Sequence, residues 1–157
     1  MIAIFLLVVS LLAQQPAAAP PAVDMNDIEK AFQASLVNSS LVGFFTVGDG
    51  SATQPDKYTI ENLTKIDKDT WKFDARIQYG GKDYKASVNV PIFWAGETPV
   101  LSMAQYAIPG QGVFSARILI HNGMYAGTWG APGKGGKMFG MVVKNDAPAP
   151  AAATPPR

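Results

Sequence analysis

The sequence predicts an all-β protein: an antiparallel meander of eight strands closing into an up-and-down barrel, with one N-terminal helix. Two hairpins whose registers can be checked, and the short turns that join the remaining strands, predict it. In the first hairpin Trp71, Phe73, Ala75, Ile77 and Tyr79 share one face of an alternating run, while Lys72, Asp74, Arg76 and Gln78 share the other. A period of two marks a strand with one buried face. Gly80-Gly81 then suits a two-residue turn that needs positive φ at both positions. That turn pairs Tyr79 with Lys82, Ile77 with Tyr84, Ala75 with Ala86, Phe73 with Val88 and Trp71 with Val90. Beyond the turn, apolar meets apolar at every step. The second hairpin pivots on Asn122-Gly123, pairing Ile120 with Tyr125, Ile118 with Gly127 and Ala116 with Trp129. A glycine opposite an isoleucine either lets a curved sheet close tightly or leaves space inside.

The other elements follow in order. Asp24 to about Val37 reads as the single helix, with Asp24 as its cap and Ile28, Phe32 and Leu36 on one apolar stripe. Strands are expected at Leu41–Val47, Lys57–Ile66, the two arms of the first hairpin, Val100 to about Gln105, the two arms of the second, and Lys137–Lys144. Broken alternation near Asn62-Leu63 suggests a bulge. Gly48–Asp56, Phe93–Glu97 and Gly130–Gly136 read as loops, with Pro91 ending the fourth strand. Ile108-Pro109-Gly110 suits a type II turn. Short hairpin loops and the absence of a long Greek-key crossing favour a barrel over an open sandwich.

Composition sets the domain plan. Met1 to Ala13 is an apolar run too short to span a bilayer comfortably and matches the core of a signal peptide. Residues 1–22 thus read as signal peptide and Pro/Ala-rich linker, 23–146 as the barrel domain with its helix, and 147–157 as a Pro/Ala-rich disordered tail. The expected location is secreted, periplasmic or cell envelope. The chain carries net charge +1 and no cysteine. Between Asp24 and Asp146 bases and acids cancel, which gives no electrostatic case for nucleic acid or an anionic membrane surface. Without cysteine there are no disulfides, thiolate metal sites or Cys nucleophile.

Few residues suggest chemistry. His121, the one histidine, flanks a turn on the polar face of its strand, away from any Ser/Asp spacing that a triad would use. Asp67, Asp69 and Asp74 read as solvated, so no paired carboxylates emerge. Gly130 to Met138 imitates a phosphate loop, but Ala131 stands where its first glycine belongs and Met138 where Ser or Thr belongs. No catalytic residue, cofactor or metal is expected. The inward aromatics are the one suggestive set. Trp71, Phe73, Tyr84, Phe114, Ile118, Tyr125 and Trp129 either fill a core or line a pocket for an apolar ligand. Phe93 and Trp94 are placed at a mouth, in a contact patch or folded over an open end.

One helical segment followed by eight meandering strands resembles the lipocalin and avidin group of ligand-binding barrels. Gly43-Phe44-Phe45 is similar to the Gly-x-Trp signature near the start of lipocalins, with Phe45 in place of the Trp. Gly127-Thr128-Trp129 looks like the Gly-Thr-Trp of avidin-type barrels. The resemblance implies a calycin-type fold and binding of a small apolar molecule. Two functions stand open: an exported barrel with an internal apolar ligand, which predicts a cavity of roughly 300 Å³ or more, and a non-catalytic structural or protein-interaction module of the cell envelope, which predicts a filled core and an exposed apolar patch. Stable membrane insertion after signal cleavage is not expected, and the sequence leaves the oligomeric state open.

Overall fold

A computed structural model describes residues 23–145. The expected signal segment, its linker and the C-terminal tail lie outside the described residues. Helix α1 (Asp27–Leu36) is followed by β1 (Ser39–Thr46), β2 (Thr53–Lys65), β3 (Thr70–Tyr79), β4 (Lys82–Ala95), β5 (Thr98–Ile108), β6 (Gly112–His121), β7 (Met124–Ala131) and β8 (Lys134–Lys144). Every neighbouring pair is antiparallel, and β8 returns to β1, so the sheet closes as a barrel in chain order. Closure pairs the first strand with the last, so neither end strand of the meander is left as a free edge.

Both sequence-derived registers are present residue for residue, from Trp71↔Val90 to Tyr79↔Lys82 and from Ala116↔Trp129 to Ile120↔Tyr125. Their turns adopt the required backbone: Gly80 and Gly81 have φ of 52° and 77°, and Asn122 and Gly123 have 49° and 71°. At Gly127 the tight alternative holds, since a Cβ there would lie 1.9 Å from the Arg117 carbonyl oxygen.

Most strand ends extend beyond expectation, while β1 and β2 each stop one residue early, at Thr46 and Lys65. The strands run on through the segments read as loops. Pro91 does not end β4; Phe93 and Trp94 continue it and pair with Val100 and Pro99. Gly130–Gly136 is the tip of the β7–β8 hairpin, with Ala131 opposite Lys134. β2 starts at Thr53, so Asp56 belongs to a strand. The bulge falls at Glu61, between Ile60 and Asn62, one residue before the expected place. In each case the neighbouring strand supplies hydrogen bonds that local Gly/Pro content cannot reveal.

The helix is shorter than expected and is capped by Asn26, not Asp24. The Asn26 side chain accepts from the Glu29 backbone N–H at 2.9 Å, and the Glu29 carboxylate accepts from the Asn26 N–H at 3.0 Å, a reciprocal capping box. α1 lies across one end of the barrel. Phe32 sets its ring edge-on to Trp71 and Trp94, with centroids 5.4 and 5.7 Å apart. Trp94 therefore folds over that end instead of forming an exposed loop. Lys65, at the end of β2, donates to Glu29 Oε1 at 2.7 Å, and both side chains are buried. Desolvation pushes the Glu29 carboxyl up, but the Lys65 hydrogen bond, the Asn26 N–H and the Lys65 charge outweigh it and hold its pKa below normal.

Candidate functional site

Closing one end with α1 leaves the other end of the barrel open. There Phe45 (β1), Tyr79 (β3), Tyr84 (β4), Phe114 (β6) and Trp129 (β7) point inward around an apolar cavity of about 140 Å³. The aromatic rings hold one another edge-on, with Phe45–Trp129 centroids 5.7 Å apart, Phe45–Tyr79 6.1 Å and Tyr79–Tyr84 6.4 Å. Edge-to-face pairs at these distances add to the energy of burial and fix the ring planes. Trp129 is pinned further: its Nε1 donates to the Thr46 carbonyl at 2.9 Å. Lys82 places its ammonium 5.4 Å from the Tyr79 ring centroid at the rim.

A second void, about 90 Å³, lies deeper, between Leu36, Phe73, Val88 and Leu101. Tyr58, Ile118 and Met138 line both spaces and so form the partition between them. The expected volume of roughly 300 Å³ is not reached, because these three side chains cross the lumen.

The wall of the cavity has a seam. β4 and β5 pair only from Ile92 to Ala95, four residue pairs against ten between β3 and β4. Pro91 offers no N–H to extend the ladder. β5 breaks its register between Met103 and Tyr106, with Gln105 at φ 48°. Beyond Ile92↔Leu101, toward the open end, β4 and β5 form no ladder pairs, and the Tyr106 hydroxyl reaches over to accept from the Asn89 N–H at 3.0 Å. Tyr84, Met103 and Ile108, which flank this seam, all line the cavity.

The inferred ligand set divides among four places. Tyr84, Phe114, Ile118 and Trp129 line the cavity. Phe73 faces the deeper void. Trp71 is fully buried beneath α1, its Nε1 without a partner. Tyr125 is buried in the wall. Of the proposed contact pair, Phe93 is 52% exposed on the outside of β4, whereas Trp94 packs inward on Phe32.

The feature the sequence reading missed is Asp56. It is 4% exposed and points into the barrel from β2. Tyr125 on β7 reaches it across two intervening strands, its hydroxyl donating to Asp56 Oδ1 at 2.8 Å. The path is open because Tyr125 pairs with Gly140 on β8, Gly140 with Gly43 on β1, and Gly43 with Asp56. The ring lies over the two glycines: a Cβ on Gly43 would stand 2.5 Å from the Tyr125 hydroxyl, and one on Gly140 2.7 Å from its Cε1. Asp56 Oδ2 has no hydrogen-bond partner, although the Tyr58 hydroxyl stands close enough to ease the charge. Desolvation dominates and raises the Asp56 pKa against the help of Tyr125 and Tyr58. The same burial, and the nearby carboxylate, push the Tyr58 and Tyr125 phenols up. The alternation Asp56, Tyr58, Ile60 carried this signal, obscured by reading Gly48–Asp56 as a loop.

His121 faces Thr98 at 3.4 Å on the outer surface, with no carboxylate in its hydrogen bonds. Among the described residues no group of three or more His, Asp or Glu could hold a metal ion.

An eight-stranded antiparallel closed barrel, plugged by a helix at one end and open to an aromatic cavity at the other, is consistent with a calycin-like architecture. No family model, curated protein or solved structure matches the chain.

Proposed function

We propose that the chain is an exported barrel of lipocalin-like design that binds a small apolar molecule at its open end. The carrying observation is the cavity of about 140 Å³ walled by Phe45, Tyr79, Tyr84, Phe114 and Trp129. An apolar cavity of about 150 Å³ stays dry and accepts a benzene-sized guest. The ligand is therefore a single ring or a short acyl segment, not a drug-sized molecule. The seam between β4 and β5 gives such a molecule a side route inward. No catalytic step is part of this reading.

The test uses indole and toluene as probes. Ligand that binds only the folded state raises stability by RT ln(1 + [L]/Kd), about 2.7 kcal/mol at a hundredfold excess over Kd. The wild-type chain should show this rise together with a Trp129 fluorescence change that Trp129→Phe removes. Ala116→Leu, which fills the cavity from β6, should abolish the probe effect while the protein stays folded. If neither probe shifts the melting temperature, the ligand reading fails and the alternative stands: a structural or protein-interaction module of the cell envelope. N-terminal sequencing of the exported chain should find a start after Ala13 or within Ala17–Ala19.

A further inference from the structure

The near-neutral charge of the barrel domain is a sum over two unlike halves. From Thr98 to Asn145, which covers β5 to β8, the sequence holds four bases and no acid, and β1 holds no charge at all. Every ion pair among the described residues lies on the other half: Lys30–Asp27, Lys65–Glu29, Lys72–Asp74, Arg76–Asp83 and Lys85–Glu61. Among the described residues, Asp49 and Glu97 lie in turns bordering this half, Asp27 on α1 faces its His121 end, and Asp56 lies inside the barrel.

The outward side chains of this half are layered by the register. One row runs Leu119, Ala126, Phe139 and Phe44 across β6, β7, β8 and β1, and Val100 and Phe93 continue it onto β5 and β4. Phe44 is 47% exposed and Phe139 44%, their rings 6.3 Å apart. The next row toward α1 holds exposed Met124 and Met141, then Val42, which pairs with Lys57. The next row toward the open end holds Arg117, Thr128 and Lys137. Basic side chains thus flank a continuous apolar belt on both sides. At about 4.8 Å per strand, the six-strand row spans roughly 25 Å around the barrel.

We propose that this face rests on a membrane surface rich in anionic lipid, with Phe44, Phe139 and Met141 in the headgroup–acyl boundary and Lys57, Arg117 and Lys137 on lipid phosphates. Apolar area and cationic charge act together in such binding, and each base near the surface adds to it. The charge pattern selects this occupant. A second copy docked face to face would set Lys57, Arg117 and Lys137 against their own kind with no acid between them. The face is the convex outside of a closed barrel, and the hollow beside Arg117 and Thr128 lies at the basic row, off the apolar belt. A fluid surface conforms to such a shape without a matching groove. The barrel lies on the membrane and does not span it, because the outward Lys72, Asp74, Arg76 and Lys85 of β3 and β4 would face lipid.

Flotation of the full chain with vesicles of phosphatidylcholine, with or without phosphatidylglycerol, tests this. The wild type should bind the anionic vesicles more tightly, and high salt should weaken that binding. Lys57→Glu combined with Lys137→Glu should lower it at least about tenfold. Phe139→Ser should weaken it too, with far-UV circular dichroism and melting temperature unchanged, as expected at an exposed site. All variants share the apolar N-terminal run, so only differences among them report on the face. The proposal is overturned if the variants bind like wild type, if neutral vesicles bind equally well, or if no vesicles bind and the belt serves a protein partner. It also fails if the chain elutes as a dimer that Phe139→Ser dissociates.

Discussion

Removing one oxygen from Tyr125 should expose how much the interior depends on its reach to Asp56. Tyr125→Phe keeps the ring over Gly43 and Gly140 and deletes the hydroxyl that donates to Asp56 Oδ1 at 2.8 Å. Asp56 Oδ2 already lacks a partner, so the carboxylate is then left with only the nearby Tyr58 hydroxyl. Leaving a buried acceptor unsatisfied costs about 1–3 kcal/mol. For a folded unit of this size a loss of 2 kcal/mol lowers the melting temperature by roughly 6–12 °C. Thermal and urea unfolding followed by circular dichroism measure it. Tyr106→Phe, whose hydroxyl accepts from Asn89 N–H in an exposed bond, is the control and should cost under about 0.5 kcal/mol. Asp56→Asn retains an acceptor for Tyr125 but removes the charge. Burial raises the Asp56 pKa above its usual 3.8, so its favourable protonated form is fully present only below that value. Wild-type stability relative to Asp56→Asn should therefore fall as pH rises from 4 toward neutrality, through the raised folded pKa. Tyr125→Phe with wild-type stability, or a pH-independent difference between wild type and Asp56→Asn, would refute the reasoning.

Two further outcomes follow from the same geometry. Gly127→Ala should prevent or severely weaken folding, since its Cβ would meet backbone of β6 at 1.9 Å; soluble yield and unfolding midpoint report this, and a loss below about 1 kcal/mol would contradict it. Lys65→Met strands the buried Glu29 carboxylate, a change that costs about 3 kcal/mol when one member of a buried pair is removed; because the Glu29 pKa is depressed, the wild-type advantage over Lys65→Met should shrink as pH falls below the normal carboxylate value of 4.5, which acid titration of unfolding will show.

The sequence by itself determined the class of the fold and much of its register. Alternation decides which face of a strand points inward, and a Gly-Gly or Asn-Gly turn of fixed length decides which residues meet, so both major hairpins could be paired in advance. It also carried the Asn26–Glu29 capping box in the spacing of an Asn followed three residues later by a Glu. Tertiary structure alone decided the rest. Phe93, Trp94 and the Gly130–Gly136 tip become strand because neighbouring strands offer hydrogen-bond partners, a non-local fact. Of the inward aromatics, all alike in the pattern, α1 made Trp71 a plug contact, whereas closure of β8 on β1 set Trp129 beside Phe45 at a cavity. The row Tyr125, Gly140, Gly43, Asp56 and the apolar belt outside it bring together residues distant in the chain. Closing the barrel aligns them, because register propagates from strand to strand around the sheet.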